Sequence, residues 1–331
     1  MSLFQLNKET TDVGIFSSMQ THIKKHGLII AFAIFLILVS FSAPEFLSPG
    51  NILDVMRQVS ITGMIAIGVT FVVITGRLDL SVGSMLTLLT VVVVDQHNLL
   101  GPGMAMLITV IAGVLIGAVN GFLVGFLKLN ALIVTLAMLS LLQGVTLYYS
   151  GGSNVNVSNA QETWFRFFGR GDLFDIPTPV WLFLITATIA SFILLRTNFG
   201  RRIYSVGGNE ITSLFSGVQT RWIVLSAYVI SGLTTALAAI IMGSRVMGAQ
   251  NTIGQGYELT VLAGIIVGGT SMLGGSGTIW RTVLGISMLG FVQNGLLLLG
   301  YPYYVQWLVT WAVIILAVWV DLAAKRGKVL A

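Results

Sequence analysis

The sequence has no cysteine and very little charge. Without cysteine, the chain of 331 residues has no disulfide bridge, thiolate metal site or cysteine nucleophile. Charged residues make up only 9% of it, whereas soluble domains carry about 25%. Hydrophobic residues make up 55%, more than a water-facing surface can accommodate. We therefore predict a single all-α unit that is embedded in a lipid bilayer.

Other missing features limit the chemistry of the chain. The three histidines, His22, His26 and His97, are too scattered for a metal cluster, and no Ser/His/Asp arrangement stands out. The phosphate-binding pattern GxxxxGK followed by Ser or Thr is also missing, so we expect no ATP site of that kind. The net charge of +5 lies at the ends of apolar segments rather than in one patch. We expect no catalytic residue, metal, cofactor or nucleic-acid partner.

Apolar segments of membrane-spanning character occur ten times along the chain. They cover residues 27–43, 59–75, 78–94, 104–127, 131–148, 179–195, 222–243, 259–273, 280–299 and 303–322. Two of them, 78–94 and 259–273, adjoin glycine-rich breaks, and we predict discontinuous helices there. The transmembrane domain then covers 27–322, between a polar segment at 1–26 and a tail at 323–331.

The distribution of basic residues predicts the orientation. With ten spans and the N-terminus inside, all but four of the 17 lysines and arginines lie on the inner side. The four on the outer side are Arg57, Arg166, Arg170 and Arg245. Because inner loops carry the excess of basic residues, we predict that both termini are cytoplasmic. A periplasmic loop then covers 149–178 and a cytoplasmic loop covers 196–221.

The cytoplasmic loop contains the signal of a short one-sided helix. Asn209 is a favourable N-cap, and Glu210 suits the first turn of a helix. Apolar residues follow at helical spacing; they are Ile211, Leu214, Phe215 and Val218. The exposed apolar stripe indicates a partner surface. The alternative is that it packs against the ends of the chain's own helices.

Glycines recur every four residues within one apolar segment, at Gly113, Gly117, Gly121 and Gly125. This spacing lets two membrane helices approach closely. Close packing is one interpretation, and the wall of a transport path is the other.

A few polar residues interrupt the apolar segments. Asp79 and Ser81 lie in the stretch TGRLDLSVGS, where they either cap the third span, with Arg77 as the partner of Asp79, or line a path. The amides are Asn120, Gln143, Gln293 and Asn294. They suit either the path of a neutral polar solute or hydrogen bonds between helices.

The sequence also contains a weak internal repeat. Asn120-Gly121 and Asn294-Gly295 are 174 residues apart, and the same offset carries the glycine-containing stretch 76–83 onto 250–257. An odd number of spans lies between equivalent points, which predicts two halves that are inverted in the membrane.

Several stretches resemble the permease subunits of bacterial monosaccharide ABC importers, of the ribose-permease type within the branched-chain amino acid and sugar permease superfamily. They are TGRLDLSVGS at 75–84, FGRRIYSVGGNEITSLFSGV at 199–218, GQGYELTVLAGIIVGGTSMLGGSGT at 254–278 and GFVQNGLLLLG at 290–300. The resemblance covers about residues 45–325. It implies an inner-membrane permease that works with two cytoplasmic ATP-binding subunits, which hold ATP and Mg²⁺, and with a periplasmic sugar-binding protein. A second permease copy or a paralogue would complete the central path.

The resemblance also implies a role for the cytoplasmic loop. Gly207, Gly208 and Asn209 match the family's GGN motif, and 210–218 matches the short helix that docks on the ATPase. Arg77 departs from the family pattern, which has glycine there. Nucleosides and branched-chain amino acids stay open as alternative solutes, and a stand-alone secondary transporter is a rival that would need no docking loop. The sequence leaves the sugar and the choice between homodimer and heterodimer open.

Overall fold

The computed structural model describes residues 32–302, 304–309, 311–312 and 315. The predicted end segments 1–26 and 323–331 lie outside the described residues, as does most of the predicted span 303–322. In the described part the regular structure is helical apart from four two-residue strands.

Within the described residues, seven helices are long and apolar enough to cross a membrane. They are α2 (Pro49–Ile74), α3 (Val82–Leu100), α4 (Pro102–Gly125), α5 (Ala131–Tyr149), α7 (Thr178–Arg196), α10 (Thr220–Val246) and α12 (Ile279–Leu298). The shorter helices are α1 (Phe32–Ser42), α6 (Phe167–Arg170), α8 (Asn198–Gly208), α9 (Glu210–Phe215) and α11 (Tyr257–Val267). The strands are β1 (Val155–Asn156), β2 (Asp172–Leu173), β3 (Ile176–Pro177) and β4 (Gly248–Ala249). The chain is therefore a mainly helical, multi-pass membrane protein.

The observed helices depart from the predicted spans most clearly at α2 and α11. α2 begins at Pro49 rather than at residue 59, because the Ser48 side chain accepts a hydrogen bond from Asn51 N and Pro49 suits the first turn. The predicted span 259–273 is discontinuous, as its glycine-rich break indicated, because the helix ends at Val267. α11 has 11 residues, about 16 Å at a rise of about 1.5 Å per residue, which is shorter than the hydrocarbon core.

Irregular backbone occurs beside α3 and α11, as the glycine-rich breaks predicted. The segment 75–81 precedes α3, and 268–278 follows α11. Both contain buried residues, among them Ser81 and Thr270. Irregular backbone at membrane depth is tolerated only where protein surrounds it, because its polar groups need partners.

Helix α10 lies at the centre and packs against α2, α3 and α4. The contact with α4 is made by the glycine stripe. A Cβ atom at Gly117 would overlap the carbonyl oxygen of Tyr228, and one at Gly121 would lie 2.7 Å from the Cα of Leu225. The two backbones are therefore too close to admit even an alanine at these positions.

The internal repeat corresponds to the helix order. A shift of 174 residues carries the beginnings of α2, α3 and α4 to within three residues of the beginnings of α10, α11 and α12. The helix packing also follows the repeat: α4 packs on α10, and their equivalents α12 and α2 pack on each other. The repeat exchanges α2 with α10, so the contact between these two helices is related to itself. It joins the two halves of the repeat.

The segment 149–178 is a compact cap over one end of the bundle. β1 pairs with β4, and β2 pairs with β3 in a hairpin. The aromatic stretch of this segment forms a 3₁₀ turn at Trp164–Arg166 that leads into α6, with Phe165 fully buried against His97.

Candidate functional site

The short helix α9 begins at a capped asparagine. Asn209 Oδ1 accepts a hydrogen bond from Thr212 N at 2.9 Å, so the predicted N-cap is present. Gly207 and Gly208 form the end of α8 directly before this cap. A hydrogen bond of 2.7 Å between the hydroxyls of Ser205 and Ser213 joins α8 to α9. The two short helices therefore form one unit.

Three apolar side chains of α9 are exposed. Ile211 is 69% exposed, Leu214 58% and Phe215 86%. The prediction that Val218 belongs to this stripe is wrong. Helix α9 ends at Phe215, and Gly217 turns the chain with a φ of +81°. Val218 instead packs against the hydrophobic core of the bundle. The exposed stripe therefore consists of Ile211, Leu214 and Phe215, which do not pack against the described part of the bundle.

Glu210 binds α9 to two turns of the bundle. Its carboxylate accepts from Arg77 Nη2 at 2.8 Å and from Lys128 Nζ at 2.6 Å. Arg77 lies between α2 and α3, and Lys128 lies between α4 and α5. Burial by itself would raise the pKa of Glu210, but the hydrogen bond from Lys128 and the charge of Arg77 outweigh it and hold the pKa below its usual value. The predicted pairing of Arg77 with Asp79 is wrong, since Arg77 turns to Glu210.

Helix α8 contacts the end of α2 and the segment 268–278 through glycines and one tyrosine. A Cβ atom at Gly207 would overlap the carbonyl oxygen of Ile74, the residue at which α2 ends. The same oxygen accepts from Gly275 N at 2.9 Å. Tyr204 Oη donates to Gly277 O at 2.7 Å. Helix α8 is therefore packed directly against the end of α2 and the second break.

Asp79 lies at the centre of a buried polar network. Its Oδ1 accepts from Ser81 Oγ at 2.6 Å and from Ser81 N at 3.1 Å, and its Oδ2 accepts from Ser231 Oγ at 2.9 Å. Asn120 Nδ2 donates to Ser81 Oγ at 2.9 Å. All four side chains are fully buried, and they join α3, α4 and α10. Asn120 Oδ1 has no hydrogen-bond partner among the described residues.

The remaining predicted polar residues lie elsewhere. Gln143 Nε2 donates to the carbonyl oxygen of Asn251 at 2.9 Å, near the 149–178 cap. Asn294 exchanges two hydrogen bonds of 2.9 Å with Asn51, which joins α12 to α2. Gln293 is half-buried next to Asn294 on α12. The structure thus brings Asp79, Ser81 and Asn120 together and separates them from the other three.

Sequence reasoning missed three participants in these clusters. In the sequence, Lys128 carries no signal beyond its charge, and Ser231 is one of many hydroxyl residues on an apolar helix. Asn251, whose side chain donates to Ser153 O at 3.1 Å, lies in an irregular segment with no helical spacing. The repeat could have drawn attention to Asn251, because it lies in the 250–257 stretch that matches 76–83.

The chain is similar to known transport proteins over most of its length. Residues 51–318 match the family described as branched-chain amino acid transport system / permease component. The chain is 40% identical to the ribose import permease protein RbsC of Escherichia coli K12, over 88% of the chain and 92% of that protein. It is 39% identical to RbsC of Bacillus subtilis 168, over 97% of the chain and 98% of that protein. The L-arabinose ABC transporter permease protein AraH of Azospirillum brasilense is 32% identical, over 90% of the chain and 88% of that protein.

No solved structure is significantly similar to the chain. The family match covers more than half of the chain, and the relatives align over nearly their whole length. The order of motifs from residue 75 to residue 300 agrees with both. The chain is therefore a member of the branched-chain amino acid and sugar family of transport-system permeases.

Proposed function

We propose that the chain is the permease subunit of an ATP-binding-cassette importer that moves a monosaccharide from a periplasmic binding protein into the cytoplasm. The observation that carries the proposal is the exposed apolar stripe of α9, held by Glu210 against the membrane bundle. A stand-alone transporter has no use for such a surface. The relatives named as ribose and arabinose permeases support a simple sugar as the solute.

Energy comes from partner subunits in this proposal. Two cytoplasmic ATP-binding subunits hold ATP and Mg²⁺, and the chain itself is not an enzyme. Leu214 and Phe215 insert into a groove of one such subunit, while Gly207, Gly208 and Asn209 position α9. Aromatic anchors in desolvated pockets supply much of the binding energy of an interface. A second permease copy or a paralogue completes the central path.

The proposed orientation has ten spans, with both termini cytoplasmic, in the bacterial inner membrane. This orientation places α8 and α9 on the cytoplasmic side. The basic residues of the 196–221 loop favour that side, because cytoplasmic loops carry an excess of lysine and arginine. The 149–178 cap then faces the periplasm and the binding protein. The two halves of the repeat are inverted in this orientation, because α2 and α10 are the second and the seventh span.

The coupling route runs from α9 to the buried network. A displacement of α9 is transmitted to Arg77 through its ion pair with Glu210. Arg77 lies two residues before Asp79. Asp79 is bound to Ser81, directly before α3, and to Ser231 of α10, so a shift of this turn changes how α3 and α10 pack. The spare oxygen of Asn120 supports a role of this network in the path, where it would accept a hydrogen bond from a sugar hydroxyl.

Reconstitution tests the proposed function. Candidate ATP-binding subunits and exported binding proteins from neighbouring genes are purified with the permease in proteoliposomes, and ATP-dependent uptake of ribose, arabinose, leucine and a nucleoside is compared. We expect uptake of one pentose only when the binding protein, internal ATP and the permease are all present. Uptake of leucine or a nucleoside alone would overturn the sugar assignment, and ATP-independent exchange would overturn the importer.

A further inference from the structure

The outer cap contains an exposed aromatic residue in an unfavourable backbone conformation. Phe174 and Asp175 are the two central residues of the turn between β2 and β3, and their φ angles are +54° and +59°. A two-residue hairpin turn with positive φ at both positions favours Asn, Asp and Gly. Phenylalanine is an outlier there. Its side chain is nevertheless 82% exposed, so burial within the described part of the chain does not offset the strain.

The hairpin is held rigidly on the bundle. Arg57 Nη2 lies 3.2 Å from Asp172 Oδ1, and Trp181 Nε1 donates to Leu173 O at 2.9 Å. Thr178 N donates to Gly171 O at 2.8 Å and closes the base of the hairpin. These contacts join the tip to the beginnings of α2 and α7. A strained residue that the surrounding contacts hold in place is typical of functional positions.

The charges beside the tip indicate which kind of surface it meets. Asp175 is exposed directly next to Phe174, and Asp172 is paired with Arg57. Segments that dip into a membrane surface combine aromatic residues with lysine and arginine, because bacterial and other anionic lipids repel carboxylates. A soluble protein with an apolar pocket and a basic rim fits the tip better.

We propose that Phe174 is the anchor by which the cap holds a soluble partner protein, with Asp175 pairing with a lysine or arginine at the edge of the partner's pocket. The inference rests on the proposed function, which makes that partner the periplasmic sugar-binding protein. An exposed aromatic side chain on a rigid support loses little conformational freedom on binding, which suits it to an anchor.

Replacement of Phe174 by asparagine separates this role from a structural one. Asparagine suits the positive φ, so the Phe174→Asn permease should melt at the same temperature as the wild type or higher. Its affinity for the sugar-binding protein, measured on nanodisc-embedded permease with its ATP-binding subunits, should fall about thirtyfold, which corresponds to about 2 kcal/mol. Asp175→Asn should leave stability unchanged, slow association and reduce its dependence on salt. Phe192→Ala, which removes an exposed aromatic ring from α7, is the control and should bind normally.

Wild-type affinity in the Phe174→Asn permease would overturn the inference while leaving the proposed function intact. Parallel loss of melting temperature and affinity would also overturn it, in favour of a structural role for Phe174. A nitroxide attached to a Phe174→Cys permease that is reached by oxygen but not by a water-soluble nickel chelate would assign the tip to the membrane instead. If the wild type itself neither binds the protein nor transports, the proposed function fails together with the inference.

Discussion

The guanidinium of Arg77 lies 2.8 Å from the carboxylate of Glu210, 133 residues further along the chain. This contact joins the turn before α3 to the first turn of α9. Lys128 binds the other oxygen of Glu210, so one carboxylate connects three cytoplasmic elements in the proposed orientation. The ion pair gives the charge of Arg77 a structural role in the turn before α3.

The first prediction concerns the pH dependence of this ion pair. The pKa of Glu210 is lower in the folded protein than its usual value of about 4.3. The folded state therefore gains stability from the ionised form above about pH 4.3, and this gain is lost as the pH falls toward the lowered pKa. We expect the melting temperatures of wild type and Glu210→Gln to differ by a constant amount from pH 6 to pH 8 and to converge in acid. A difference that grows below pH 4.3 would contradict the ion pair.

The second prediction tests the glycine stripe with the smallest side chain available. Gly117→Ala places a methyl group against the carbonyl oxygen of Tyr228, so α4 and α10 must separate. Overpacking of this kind costs about 1–3 kcal/mol. Gly144→Ala on α5 is the matched control, because nothing lies within 4 Å of its added Cβ. Melting temperatures in one detergent should drop for Gly117→Ala alone, and equal values for both variants would remove the packing interpretation.

The third prediction concerns the buried network. Asp79→Ala leaves the hydroxyls of Ser81 and Ser231 without their acceptor in the interior of the bundle. Unsatisfied buried groups cost about 1–3 kcal/mol each, so the variant should accumulate poorly in membranes. Asp79→Asn keeps one acceptor oxygen and should be recovered at higher yield. If the two variants are equally stable but transport differently, the network serves the path rather than the fold.

Sequence reasoning predicted the helical parts that have a periodic signal. Apolar length located the spans, and Asn209 marked the start of α9 by its capping chemistry. It failed where tertiary contacts decide, as at Val218, which follows the helical spacing but lies beyond a glycine turn. The sequence could also not identify the partner of Arg77, because Asp79 is only two residues away while Glu210 becomes close only when the bundle folds. The role of each site residue stays a prediction.

The fourth prediction tests the orientation of the chain. The absence of native cysteine allows single cysteines at exposed positions, Ser158 in the cap and Ser216 after α9. In intact cells, a membrane-impermeant maleimide should label Ser158→Cys and should reach Ser216→Cys only after lysis. Labelling of both from outside would exclude the ten-span orientation, because one span, α7, lies between the two sites and must place them on opposite sides of the membrane.

The last prediction concerns Phe215, the most exposed member of the α9 stripe. Phe215→Ala removes an aromatic ring that does not pack on the described part of the bundle, so the melting temperature of the isolated permease should stay unchanged. The loss of such an anchor from an interface typically costs about 2 kcal/mol or more, which weakens association about thirtyfold. Co-purification with the ATP-binding subunit should fall accordingly, and ATP hydrolysis should no longer respond to the loaded binding protein. Phe192→Ala, which removes another exposed aromatic ring, this one from α7, should leave both properties intact. A Phe215→Ala permease that melts early yet keeps its ATP-binding subunit at full stoichiometry would show that the ring packs within the permease, because only an internal contact lowers stability without affecting the partner.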